Sequence, residues 1–96
     1  MEHMSTIKAI LEQLKPELEA KYHVQTLALF GSVVRDDFNA SSDVDILVDF
    51  SAPIGVEFID LADYIEHKLN RRVDLVSRKA IKEPYYKAIE QEIVYV

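Results

Sequence analysis

The sequence predicts an α/β (α+β) domain in which a small mixed sheet is flanked by helices. Three β-rich segments, residues 24–30, 44–50 and 72–77, alternate with segments whose apolar residues recur at helical spacing. This alternation is typical of a sheet with helices packed against it. A chain of 96 residues has the size of one domain, so we expect residues 1–96 to form a single unit.

Three segments are predicted to be helices. Residues 5–21 carry a helical apolar pattern, and Pro16 predicts that this helix bends or divides into two. Residues 56–70 form the second long helix, with Asn70 as its C-terminal stop. Residues 81–91 form the third, which carries a proline near its first turn.

Shorter segments complete the order of elements. Residues 32–36 are predicted to form a short helical segment, and residues 37–42 a polar loop. Residues 51–55 form a second loop between the middle strand and the second long helix. Residues 93–96 form either a last short strand or a docked tail.

Composition and charge exclude several classes of protein. The net charge of −6 argues against a primary role in gripping DNA or RNA, which needs basic side chains at several phosphates. No apolar stretch approaches the roughly 20 residues that cross a bilayer. The chain has no cysteine, which rules out disulfides and thiolate metal sites. A cytoplasmic location, without membrane association, is the expectation.

A pair of aspartates marks the start of the middle strand. Asp43 and Asp45 lie at positions i and i+2, so their side chains point to the same face about 7 Å apart. One or two shared cations could bind both carboxylates. Asp49 has the same parity but lies about 13 Å beyond Asp45, too far to join them. A solvated strand edge is the alternative explanation for the pair.

A third aspartate, Asp74, lies in an apolar run that resembles an interior strand. An ionised carboxylate there needs a partner, a metal ion or the wet end of the sheet. Arg71 or Arg72 could pair with it. Alternatively, a neighbouring strand places Asp74 beside the aspartate pair, and three carboxylates form a site of hard oxygen ligands suited to Mg²⁺ or Mn²⁺.

The first strand ends in a Gly31-Ser32 step. Glycine allows the backbone to approach a phosphate closely, and Ser32 adds a hydroxyl donor. Arg35 lies one helical turn further on, where it can face the same site. The alternatives are an ordinary strand-ending turn and an arginine paired with Asp36 or Asp37.

These motifs together resemble a known superfamily. Residues 29–35 (LFGSVVR), 42–48 (SDVDILV) and 73–76 (VDLV) resemble the nucleotidyltransferases related to DNA polymerase beta. The small size is similar to the minimal branch of that superfamily, the MNT-type domains. The resemblance implies the polymerase beta-like nucleotidyltransferase fold.

The resemblance also assigns roles to residues. It implies that two Mg²⁺ ions, or Mn²⁺, are held by the three aspartates Asp43, Asp45 and Asp74. It implies that the nucleotide triphosphate is bound by Gly31, Ser32, Arg35 and Ser42. Arg35 occupies the place of the arginine in the family's Gly-Ser-x-x-Arg pattern. The family often has glycine after this arginine, whereas Asp36 and Asp37 follow it here, and two negative charges do not favour a triphosphate.

Members of this branch imply a function and a partner. They are antitoxins that move AMP from ATP to a tyrosine of a HEPN-type ribonuclease toxin, which predicts a hetero-oligomer here. The first alternative is a catalytically weak or inactive binding module that neutralises the toxin sterically. The second is a transferase acting on a small molecule or an RNA end.

Overall fold

A four-stranded sheet forms the centre of the computed structural model, which describes residues 3–35 and 37–96. The strands, in their order across the sheet, are β3 (Val73–Ser77), β2 (Val44–Phe50), β1 (Val24–Phe30) and β4 (Val94–Tyr95). β2 and β3 are parallel, while β1 is antiparallel to both β2 and β4, so the sheet is mixed as predicted. The helices are α1 (Met4–Tyr22), α2 (Glu57–Leu69), α3 (Glu83–Ile89) and two short 3₁₀ segments, Gly31–Val34 and Glu90–Glu92.

The two faces of the sheet are covered unequally. The larger core packs α1 and α2 on one face and contains fully buried side chains such as Ile7, Leu11, Leu29, Ile46, Leu61 and Ile65. The opposite face carries a smaller cluster that α3 covers: Ala28, Phe30, Leu47 and Ile89. Because residues alternate between faces along a strand, Asp45 shares the less covered face with Leu47.

Both long helices end at a residue in the left-handed conformation, and α1 continues through Pro16. His23 after α1 and Asn70 after α2 adopt left-handed conformations, with φ of 57° and 53°, so the predicted stop at Asn70 is confirmed. Of the two effects predicted for Pro16, the division into two helices is wrong, since α1 runs through this residue as one helix, and the bend stays a prediction. Pro16 lies on the exposed side, where water can bond the carbonyl of Glu12 that the missing N–H leaves.

Two further sequence predictions need correction. β3 is an edge strand, paired only with β2 among the described strands, and not the interior strand that its apolar residues suggested. The short helical segment is a 3₁₀ helix over Gly31–Val34, one residue earlier than predicted, and Arg35 is already extended. The part of the prediction that concerned Asp36 lies outside the described residues. Within those residues, no helix has the length and apolarity to cross a membrane.

Candidate active site

The parallel pairing of β2 and β3 aligns two of the predicted carboxylates. Asp45 and Asp74 are direct partners in the register, so their side chains leave the same face of the sheet on adjacent strands. Asp43 lies one residue before β2, with the same parity as Asp45. Asp43 and Asp74 are exposed, whereas Asp45 is partly buried. The structure therefore brings the three aspartates to one end of the β2-β3 pair.

The aspartates influence one another electrostatically. Partial burial, followed by the charges of Asp74 and Asp43, raises the pKa of Asp45 from 3.8 to about 6, although Arg35 opposes the shift. Across residues 3–35 and 37–96, no three Asp, Glu, His or Cys side chains lie close enough to hold a metal ion as they stand. The negative charges of Asp43, Asp45 and Asp74 repel one another, and a bound divalent cation would relieve that repulsion.

Gly31 lies against the aspartate site. Its φ of 75° is in the left-handed region, and a β-carbon at this position would collide with the Asp45 carboxylate, whose Cγ would be 3.0 Å away. Glycine is therefore required both by the backbone conformation and by the space that Asp45 fills. The turn that was predicted to hold phosphate is in direct contact with the central carboxylate.

Arg35 and the Gly31 amide are both engaged by a carboxylate from the other end of the chain. The Gly31 N–H donates to Glu92 Oε1 at 3.0 Å, and Arg35 Nη1 lies 3.4 Å from Glu92 Oε2. Arg35 Nε also pairs with Asp37 Oδ1 at 3.5 Å, as the alternative interpretation of this arginine predicted. Sequence reasoning missed Glu92, because no motif surrounds it and 61 residues separate it from Gly31.

The two serines of the predicted site differ in their contacts. Ser32 is half-buried in the 3₁₀ turn, and its carbonyl accepts the Arg35 N–H at 3.0 Å. Ser42 belongs to the loop before β2, and its Oγ accepts the Asn39 N–H at 3.1 Å. The Ser42 hydroxyl keeps its own proton to donate, so this bond leaves it able to contact a ligand.

Arg71 also bonds to the loop that contains Ser42. Its Nη2 donates to the carbonyls of Asn39 at 2.6 Å and Ser42 at 2.9 Å, and its guanidinium lies 4.4 Å from the centre of the Phe38 ring. The sequence suggested Arg71 only as a partner for Asp74. The structure shows that it fixes the two carbonyls of the loop that leads directly into Asp43.

Asp49 is separate from this site, as the strand geometry predicted. It lies near the opposite end of β2, where its register partner is Thr26 of β1. Its Oδ1 accepts the Phe50 N–H at 2.9 Å. Asp49 thus provides a second aspartate on β2 that lies outside the site, so it can serve as a control for substitutions of Asp45.

The chain resembles known proteins over nearly its whole length. Residues 11–96 match the family model described as a nucleotidyltransferase domain. The protein adenylyltransferase MntA of Thermococcus cleftensis is 42% identical over 94 residues, covering 97% of this chain and 95% of its own. A chain of Methanocaldococcus jannaschii, provisionally named a protein adenylyltransferase, is 44% identical over 98 residues with both chains fully covered.

Solved structures share the fold. One provisionally described as a minimal nucleotidyltransferase superposes with a TM-score of 0.81 at 26% identity, covering 97% of this chain and 95% of that one. A toxin-antitoxin structure with AMP-PNP gives 0.69 at 22% identity, covering 96% of this chain and 70% of that one. The family match and the close relatives lead to one conclusion: the chain belongs to the nucleotidyltransferase domain family.

Proposed function

We propose that this protein is an antitoxin that transfers AMP from ATP to a hydroxyl, that of a tyrosine side chain, of a partner HEPN-type ribonuclease toxin. The observation that carries the proposal is the alignment of Asp45 with Asp74 beside the Gly31 turn. A relative of 42% identity is named a protein adenylyltransferase, and a fold relative comes from a complex of an MNT antitoxin with a tri-AMPylated HEPN toxin of Shewanella oneidensis.

The three carboxylates have the ligand chemistry that magnesium prefers, although among the described residues they do not lie close enough together to hold an ion as they stand. Asp43, Asp45 and Asp74 supply hard carboxylate oxygens, and their mutual repulsion would be relieved by a cation of charge +2. Mn²⁺ shares this preference for oxygen and could substitute. When bound, two such ions would neutralise the phosphate charge and orient the acceptor hydroxyl.

The remaining residues bind and position the reactants. The Gly31 amide, Ser32, Arg35 and Ser42 supply donors for the phosphates of ATP, next to the aspartate cluster. The acceptor oxygen forms a bond to the α-phosphorus while the bond from that phosphorus to the bridging oxygen breaks, so pyrophosphate leaves. Asp74 is exposed and can accept the proton of the attacking hydroxyl. Positioning and electrostatics account for most of the acceleration in such transfers.

The acceptor is expected to arrive on a second protein. The net charge of −6 does not favour RNA as the acceptor, and a fold relative was solved with a tri-AMPylated HEPN toxin. The partner would therefore complete the site within a hetero-oligomer in the cytoplasm. Steric neutralisation without transfer is the second candidate function, and the engagement of Arg35 by Asp37 and Glu92 favours it.

One experiment separates the two functions. The purified chain is mixed with ATP, Mg²⁺ and a HEPN-type ribonuclease from the same organism, and the partner's intact mass and RNase activity are followed. We expect the partner to gain whole AMP units and lose RNase activity, and Asp45→Asn to bind the partner without modifying it. Asp49→Asn is the matched control and should behave as wild type. If wild type neutralises the toxin without adding mass, the steric function replaces the enzymatic one.

A further inference from the structure

Glu92 reaches the candidate site from the C-terminal part of the fold. It ends the 3₁₀ segment Glu90–Glu92, between α3 and β4. Its side chain is 29% exposed, and its carboxylate accepts the Gly31 N–H at 3.0 Å and lies 3.4–3.5 Å from Arg35 Nη1. One carboxylate therefore engages a backbone donor and a guanidinium at the same time.

The Gly31 N–H and the Arg35 guanidinium are also the groups that we propose bind the phosphates of ATP. Carboxylate and phosphate oxygens are both anionic acceptors, and both favour charge-assisted bonds to guanidinium and backbone N–H groups. The Gly31 N–H carries a single proton and cannot serve both at full strength. Glu92 also adds negative charge next to Asp45. A polyphosphate that approached with Glu92 in place would meet an occupied donor and a repelling carboxylate.

We propose that Glu92 is an internal anion that occupies the phosphate position and must be displaced by the nucleotide, so that this residue sets the affinity for ATP. The inference rests on the proposed function, because it takes the Gly31 and Arg35 donors as the phosphate subsite. In the absence of nucleotide, Glu92 satisfies the Gly31 N–H and holds Arg35 over the site. Nucleotide binding exchanges one set of anionic acceptors for another.

The test compares Glu92→Gln with Glu90→Gln in the full chain. Glutamine keeps the length of the side chain and an amide oxygen for the Gly31 N–H, but it loses the charge. Glu90 is an exposed carboxylate in the same 3₁₀ segment, and the described bonds of Gly31 and Arg35 do not involve it. Isothermal titration with Mg²⁺ and AMP-PNP, and separately with inorganic tripolyphosphate, reports binding without any transfer step.

Glu92→Gln should bind both ligands about five- to tenfold more tightly than wild type, because one like charge is removed from the phosphate position. Glu90→Gln should stay within about twofold of wild type. Equal enhancement for tripolyphosphate would place the effect at the phosphates, since that ligand has no base or ribose. Unchanged or weaker binding by a folded Glu92→Gln chain overturns the inference.

A second measurement needs no variant. The chain has two glycines, Gly31 and Gly55, so ¹⁵N-glycine labelling gives one amide signal from the site and one internal control. Tripolyphosphate should shift the Gly31 signal and leave Gly55 unchanged. A Gly31 signal that does not move at saturation overturns the inference. If the ligands displace Glu92 but wild type transfers no AMP to the HEPN partner, the proposed function fails while the role of Glu92 stands.

Discussion

The carboxylate of Asp45 fills the space that a β-carbon on Gly31 would occupy. This contact joins the end of β1 to the start of β2 and places the phosphate turn against the central carboxylate. Two residues that are 14 positions apart in the sequence thereby depend on each other: Gly31 has the φ of 75° that glycine tolerates, and Asp45 has a position that only glycine permits.

Gly31→Ala should disrupt both the turn and the aspartate site. The added methyl group meets Asp45 and is strained at positive φ, so the free energy of unfolding should fall by about 1–3 kcal/mol. AMP transfer should be lost even where the variant is fully folded. Gly55→Ala is the control, since its β-carbon would come no closer than 3.8 Å to Glu57. Urea unfolding and the transfer assay would contradict this account if Gly31→Ala behaved like Gly55→Ala.

Asp45 should make the protein less stable as the pH rises. Its pKa is raised to about 6 in the folded protein, from 3.8, so the folded state holds this proton where the unfolded state has released it. The resulting loss of stability is absent below about pH 4, develops as the pH rises, and is complete above about pH 6. After allowance for solvent screening of a partly exposed group, it amounts to about 1–2 kcal/mol.

Asp45→Asn should therefore be more stable than wild type at neutral pH while being inactive. Urea unfolding without divalent cations, at about pH 4 and about pH 7.5, measures the difference between the two proteins at each pH. The advantage of the variant should be small at the lower pH and largest at the higher one. An advantage that is equal at both, or greatest in acid, would show that charge repulsion at Asp45 does not act as described.

Asp74→Asn should lower the transfer rate with little effect on the stability of the fold. Asp74 is exposed on edge strand β3, so the substitution should change the free energy of unfolding by less than about 0.5 kcal/mol. Loss of one of three carboxylates should nonetheless lower the transfer rate by at least about a hundredfold. Initial rates across a Mg²⁺ titration check this, with Asp49→Asn as the control that retains activity. Normal rates for Asp74→Asn would remove this residue from the site.

Arg71 should act on the reaction through the loop before β2. Arg71→Lys cannot reproduce the two bonds to the carbonyls of Asn39 and Ser42 together with the stacking on Phe38. We expect a raised Mg²⁺ requirement, because Asp43 directly follows this loop, and about a tenfold lower rate at limiting Mg²⁺ that excess Mg²⁺ partly restores. Arg72→Ala, which alters the exposed neighbour, should leave the Mg²⁺ dependence unchanged. Equal effects of the two variants would contradict the positioning role.

The sequence predicted the parts of this fold that local patterns determine. Strand alternation predicted the shared face of Asp43 and Asp45, and the rise along the strand separated Asp49 from them. The apolar spacing located α2 and its stop at Asn70. The alignment of Asp45 with Asp74 could be suspected but not fixed, since register depends on how two strands pair in space.

Other features depend on tertiary contacts that leave no local signal. The edge position of β3 follows from the order of strands. Val73 and Leu75 are apolar because one face of this strand packs on the larger core, and that pattern alone resembles an interior strand. The helix α1 runs through Pro16 because that side of the helix is exposed. Glu92 meets Gly31 only because the C-terminal segment folds back over the end of β1.

Transfer of AMP moves the α-phosphoryl group of ATP, with its adenosine, from the nucleotide to the HEPN partner. Parallel reactions with ATP labelled at the α-phosphate and at the γ-phosphate test it most directly. We expect the α-label to become acid-stable on the partner, the γ-label to be released as pyrophosphate, and Asp45→Asn to abolish the first signal. Retention of the γ-label, or of neither label while the toxin is neutralised, would contradict it.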